Sequence, residues 1–104
     1  MGVDLVWRDE TGRARETVAD EQSIISTTIE RAQAESRSVA LVGRIDLYGD
    51  TPFSPSQIPQ LIREFQVLRD ALTDAGERVV IAHVIAVLHS ADAIGDGSIE
   101  FIGD

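Results

Sequence analysis

Between Asp46 and Ser54 the chain sets two carboxylates, Asp46 and Asp50, around the phenolic hydroxyl of Tyr48, with Thr51 next in line. Carboxylates this close can hold a hard cation or share general-acid and general-base work. A Mg²⁺ or Ca²⁺ loop, however, brings more oxygen ligands in a recognisable order. A structural reading competes: Gly49 and Asp50 make a turn, Thr51 and Ser54 satisfy backbone donors, and Phe53 staples the start of the next helix.

The two histidines, His83 and His89, lie six residues apart, about 240° around a helix, so they do not share a face as the i, i+4 pair of a metal site does. His83 sits inside an apolar run and reads as a buried imidazole, while His89 near the helix end complements the dipole. No serine stands in a nucleophile-elbow context, and Gly43 and the Gly95, Gly97 pair lack the spacing of a phosphate cradle. Asp92, Asp96, Glu100 and Asp104 form an acidic tail that reads either as solvated surface or as a docking face for a basic partner.

The composition narrows these options. The chain has 104 residues, 9 basic against 18 acidic side chains, a formal charge of −9 and no cysteine. One modest core fits in that length, so residues 1–104 read as a single domain. The acidic excess repels phosphate backbones and anionic lipid, which argues against nucleic-acid and membrane-surface roles. A DNA mimic would need an unbroken acidic face, and Arg13, Arg15, Arg31 and Arg37 interrupt one. Without cysteine there is no disulfide framework or thiolate metal site, as expected of a cytoplasmic protein. No apolar stretch reaches the roughly 18 residues of a membrane helix.

The elements that must position these residues follow from periodicity. Val3, Leu5 and Trp7 alternate as a strand, and Arg13 to Val18 returns as a hairpin partner across a loose Asp9–Gly12 turn. Ile25, Ile29 and Ala32 mark a one-faced helix from Asp20 to about Arg37, capped by Asp20 and Ser23. Val39, Leu41, Gly43, Ile45 and Leu47 alternate as a central strand. Ser54 to Gln57 is a capping box before the stripe Ile58, Leu61, Ile62, Phe65, Leu68 and Leu72. A second box at Asp74 opens a helix through Ala91 that is apolar nearly all round, the buried spine of the fold. Ile99 and Phe101 alternate in a closing strand.

The order β(β)αβααβ predicts an α+β fold: a small, mainly antiparallel sheet of three or four strands with an amphipathic helix and a helical hairpin on one face. Its expected core is Leu5, Trp7, Ile25, Ile29, Leu41, Ile45, Ile62, Phe65, Leu68, Val84, Leu88 and Phe101.

The segment from Arg44 through Ser54, the helical pair behind it and the tail from Ile99 to Asp104 resemble a group of small, mainly actinobacterial proteins with an Asp-x-Tyr-Gly-Asp-Thr-x-Phe core and a Phe-x-Gly-Asp tail. That group has no established activity, so the resemblance implies no chemistry. In size and charge the chain is also similar to immunity proteins that neutralise bacterial toxins, a likeness of type rather than motif.

The expected function is therefore a non-enzymatic acidic interaction module, an immunity or regulatory protein without cofactor or metal that binds a basic protein. Asp46, Tyr48, Asp50, Thr51, Asp92, Asp96, Glu100 and Asp104 are its candidate contacts. The alternative is a metal-binding or hydrolase-like domain using Asp46, Asp50 and His83, with Tyr48 as an orienting hydroxyl. Val6 and Ile102 point away from the core-facing residues of two strands expected to lie at sheet edges. That apolar second face predicts a monomer or weak homodimer, tightened as salt screens the like charges.

Overall fold

Alternation makes the first strand. In a computed structural model, which describes residues 2–35 and 39–104, β1 (Val3–Arg8) turns Val3, Leu5 and Trp7 into the core. It pairs antiparallel with β2 (Ala14–Val18) across a turn that Asp9 organises. Asp9 Oδ1 accepts the Thr11 amide at 2.9 Å, the Thr11 hydroxyl at 2.6 Å and the Arg13 amide at 3.1 Å. The turn expected to be loose is thus closely bonded. A bulge follows Trp7 and leaves Arg15 between the pairs Trp7–Glu16 and Arg8–Ala14. The Arg15 guanidinium lies 4.8 Å from the Trp7 ring centroid, a cation–π contact that closes the edge of the core.

The Thr11 hydroxyl bond, foremost among several, holds the Asp9 carboxyl below its ordinary pKa. A carboxyl that is more acidic folded than unfolded stabilises the protein above its unfolded pKa and ceases to do so as pH falls through its folded pKa. The difference in Tm between wild type and Asp9→Ala should therefore shrink as pH falls below about 4. Thermal denaturation over a pH series checks this, and a gap that widens in acid would contradict it.

Helix α1 (Ile24–Ala34) starts where Asp20 can cap it, four residues later than the sequence pattern suggests. The Asp20 carboxylate accepts the amides of Ile25 and Ser26, each at 2.9 Å, and also that of Val3 at 3.0 Å. One side chain thereby joins the helix start to β1. Ser23, the other expected cap, sits at φ 57° and makes no capping bond with its side chain. The helix closes at Ala34; the expected extension through Arg37 runs into residues outside the described set.

The Ser54 box forms as expected, with the Ser54 amide donating to Gln57 Oε1 at 2.9 Å. A turn of 3₁₀ helix over Pro55–Gln57 leads into α2 (Ile58–Ala71), whose whole apolar stripe is buried. Asp74 caps α3 (Ala75–Ile94) by accepting the Glu77 amide at 2.9 Å, and Gly95 at φ 80° ends it. The run from Val79 is a helix, but not a buried spine. Ile81, Val84, Ile85, Leu88 and Ala91 face the core, whereas Val79, His83 and Ala86 face water. Alanines let this sequence present an outer face that reads as apolar without needing burial.

The strand expected over Val39 to Leu47 does not form. Val42–Arg44 is one turn of 3₁₀ helix, and the chain leaves it extended at Ile45. Val39, Leu41 and Ile45 are buried as the alternation required, Leu47 is half-buried, and Val42, on the other face of that pattern, is buried as well. The backbone bonds go elsewhere, because Glu64 of α2, only 6% exposed, reaches under the segment. Its carboxylate accepts the Leu41 amide at 3.1 Å and the Val42 amide at 2.9 Å, while Gln33 Nε2 donates to the carbonyls of Val42 and Ile45 at 3.2 and 2.9 Å. Side chains replace a β-ladder as partners of this backbone.

The strand of this region comes later, as β3 (Asp50–Phe53), and β4 (Ser98–Gly103) completes an antiparallel sheet in the order β2-β1-β4-β3. The fold is α+β, with the helices on one face of four strands. Phe101, fully buried, stacks on Phe65 of α2 at 5.7 Å and meets Phe53 edge-on at 5.9 Å, tying helices to sheet. Every expected core residue is buried. The closing strand is interior, between β1 and β3, and not an edge. On the open face Val6 is already 95% covered, its relative exposure being 5%. The expected apolar second face is thus reduced to a half-buried Ile102. No helix among the described residues is long and apolar enough to cross a membrane.

Candidate functional site

Asp46 builds a turn from its own side chain. Its Oδ1 accepts the Tyr48 amide at 2.9 Å, and its backbone N–H donates to Thr51 Oγ1 at 2.9 Å. Gly49 follows, where an added Cβ would lie 2.7 Å from Asp46 Oδ2 and would push the carboxylate aside. The Gly103 amide then donates to the Gly49 carbonyl at 2.8 Å, fastening the turn to the end of β4. Asp104, the next residue, accepts the Gly2 amide at 3.1 Å. Core and tail motifs are thus two sides of one junction.

Gly103 runs directly over the backbone of Leu47, and an added Cβ would overlap the Leu47 carbonyl oxygen. Backbone cannot rotate away as a side chain can. Gly103→Ala should therefore cost roughly 1–3 kcal/mol, the range of overpacking, in urea denaturation; an unchanged midpoint would show that the turn and tail separate freely.

With Asp46, Gly49, Thr51, Phe53, Phe101 and Gly103 each committed to the fold, Tyr48 is left over. It is 66% exposed on a turn whose backbone is bonded on both sides. Asp50 is exposed too, and across the sheet it pairs with Ile102, which pairs in turn with Asp4. Five of the candidate contacts, Asp46, Tyr48, Asp50, Thr51 and Asp104, therefore gather at one end of β4.

The other candidates lie elsewhere. Gly97 presses against the backbone of Arg8 and Asp9, so Asp96 and Asp92 stand at the opposite end of the sheet, beside the hairpin turn. Glu100 lies between the two ends and is taken by Arg8, Nε to Oε1 at 2.9 Å. The acidic tail is thus not one surface. Much of the acidic excess is also structural: Asp4, Asp9, Asp20, Asp46, Glu64, Asp74 and Asp104 all accept backbone amides.

His83 is neither buried nor near Asp50. Its side chain is 56% exposed, and Nε2 lies 3.7 Å from Glu16 on β2. Because β2 and β3 are opposite edges of the sheet, about three strand spacings or 14 Å separate the two neighbourhoods. The face of α3 that carries His83 turns it outward, against the expectation of a buried imidazole. The Asp46, Asp50 and His83 trio is therefore not assembled. Among the described residues no group of three metal-ligating side chains comes together. The cleft between α1 and α2, lined by Thr28, Arg31, Ala32, Leu68 and Leu72, holds about 90 Å³, against roughly 300–1,000 Å³ for small-molecule sites, and the larger hollow beside Arg69, Arg78 and Val79, about 370 Å³, lies open to solvent.

Glu64 was not among the candidates, although a signal existed. It stands three residues after Leu61 and four before Leu68, on the apolar stripe itself. No family model, curated protein or solved structure matches the chain.

Proposed function

We propose that this chain is a non-enzymatic interaction module whose contact surface centres on Tyr48, with Asp50, Asp46 and Asp104 around it selecting a basic protein partner. The observation that carries the reading is Tyr48 itself, a large aromatic 66% exposed on a turn held by four hydrogen bonds. A tyrosine fixed in place gives contact area at small entropic cost, and aromatic anchors dominate interface energies. Carboxylates around it favour an arginine that can stack on the ring and pair with an acid at once. A partner of that kind suits an immunity or regulatory protein acting in the cytoplasm.

Calorimetric titration with an arginine-rich peptide tests this. Tyr48→Ala should weaken binding by about tenfold or more, and a lysine-rich peptide should bind less tightly than the arginine-rich one. Equal affinities for wild type and Tyr48→Ala would overturn the reading. On the same reading micromolar Mg²⁺, Mn²⁺ or Zn²⁺ leaves Tm unchanged, and a rise would favour the metal-binding alternative.

A further inference from the structure

Strand β3 is an edge of the sheet, and the phase of its ladder decides what that edge offers. The Gly103 amide donates to the Gly49 carbonyl at 2.8 Å, and Gly49 stands one residue before Asp50 in the register that pairs Asp50 with Ile102. Bonded and non-bonded pairs alternate in an antiparallel ladder. Thr51 and Phe53 therefore direct their backbone groups to β4, while Asp50 and Pro52 turn theirs away from it. Proline has no amide, so the outward row holds one donor, the Asp50 N–H, and two acceptors, the carbonyls of Asp50 and Pro52. Among the described residues none takes these groups, and both residues are exposed.

The same row turns away a second copy. Two β3 strands paired about a two-fold axis would set Asp50 against Asp50 with the carboxylates face to face, or Pro52 against Pro52 with no amide between them. Setting Asp50 against Pro52 leaves the Asp50 carbonyl of each chain unmet. A basic strand meets fewer obstacles. Asp50 and Asp4, on either side of Ile102, lie on the open face, Asp46 and Asp104 stand at the same end, and β3 carries no basic residue. The other edge, β2, carries Arg15, with Arg13 just before it.

We infer that the basic partner binds as an extended segment added antiparallel to β3, with an arginine opposite Asp50. This rests on the Tyr48 reading and specifies the backbone of the partner which that reading calls for. Directly opposite residues share a face of the sheet, so the arginine lies beside the Asp50 carboxylate. Tyr48 is two residues from Asp50, at most about 7 Å from Cα to Cα, within an arginine's reach. The segment's amides supply the donors that the Asp50 and Pro52 carbonyls lack, and one of its carbonyls accepts the Asp50 N–H.

A blocked seven-residue peptide, one central arginine with three threonines on each side, tests this by titration followed in the amide NMR spectrum of the whole chain. N-methylation of the arginine removes the donor to the Asp50 carbonyl and should weaken binding by about fivefold or more. N-methylation of the threonine on either side, whose amide faces away from β3, should change it less than about twofold. The Asp50 amide should exchange with solvent more slowly when the peptide is bound. If methylating the arginine weakens binding no more than methylating its neighbours, or Asp50 exchange is unaltered, while Tyr48→Ala still weakens binding, the added strand is overturned and the Tyr48 surface stands. The alternation without any effect of Tyr48→Ala would overturn the Tyr48 reading instead. No binding to the wild type at millimolar peptide would overturn both.

Discussion

Glu64→Ala should cost about 3–5 kcal/mol of stability, a large part of the 5–15 kcal/mol that a domain of this size possesses. The carboxylate is 6% exposed and accepts the amides of Leu41 and Val42 together with Gln60 Nε2 at 2.8 Å. Truncation leaves two buried amides without an acceptor, each costing roughly 1–3 kcal/mol, and adds a cavity under the 3₁₀ turn. Glu64→Gln keeps one acceptor oxygen and should lose about half as much. Urea denaturation followed by the fluorescence of Trp7, the single tryptophan, measures both. A loss under about 1 kcal/mol for Glu64→Ala would show that water replaces the carboxylate without penalty.

Phe101→Ala should be comparable, at about 3–5 kcal/mol, because the ring is fully buried and touches both Phe65 and Phe53. It removes the contact through which the interior strand meets α2, and neither neighbour alone can fill the space. Phe53→Leu, nearer the sheet edge and closer in volume, should cost less than about 2 kcal/mol. The reverse ranking in the same denaturation experiment would place the centre of the core at the edge strand.

The elements legible in the sequence were those whose side chains and backbone agree. The alternation of Val3, Leu5 and Trp7, the Ser54 and Asp74 caps and the stripe from Ile58 to Leu72 all specify one answer at both levels. The segment from Val39 to Leu47 does not. Its alternation correctly foretold burial of Val39, Leu41 and Ile45, yet burial does not require a strand. The deciding partners, Glu64 and Gln33, are distant in sequence: the place of Glu64 on the apolar stripe marks it as buried, but no local period says which backbone it holds.

His83 shows the converse. An apolar run with β-branched residues implied burial of everything in it, but α3 touches the sheet along one side only, and the imidazole falls on the other. At the candidate site the turn chemistry of Asp46, Gly49 and Thr51 was readable from residue types. Its fastening to Gly103 was not, because that contact spans half the chain. The acidic count likewise says nothing of how many carboxylates hold amides, as Asp46 and Asp104 do.

The contact surface itself can be mapped residue by residue. Amide-resolved NMR of the full chain, titrated with the arginine-rich peptide at physiological salt, should show its largest shifts at Tyr48, Gly49 and Asp50 and at Ile102 to Asp104, with the hairpin turn at Asp9 to Gly12 unmoved. Shifts concentrated at Asp92 to Gly97, or spread evenly over the acidic surface, would contradict a binding site built on Tyr48.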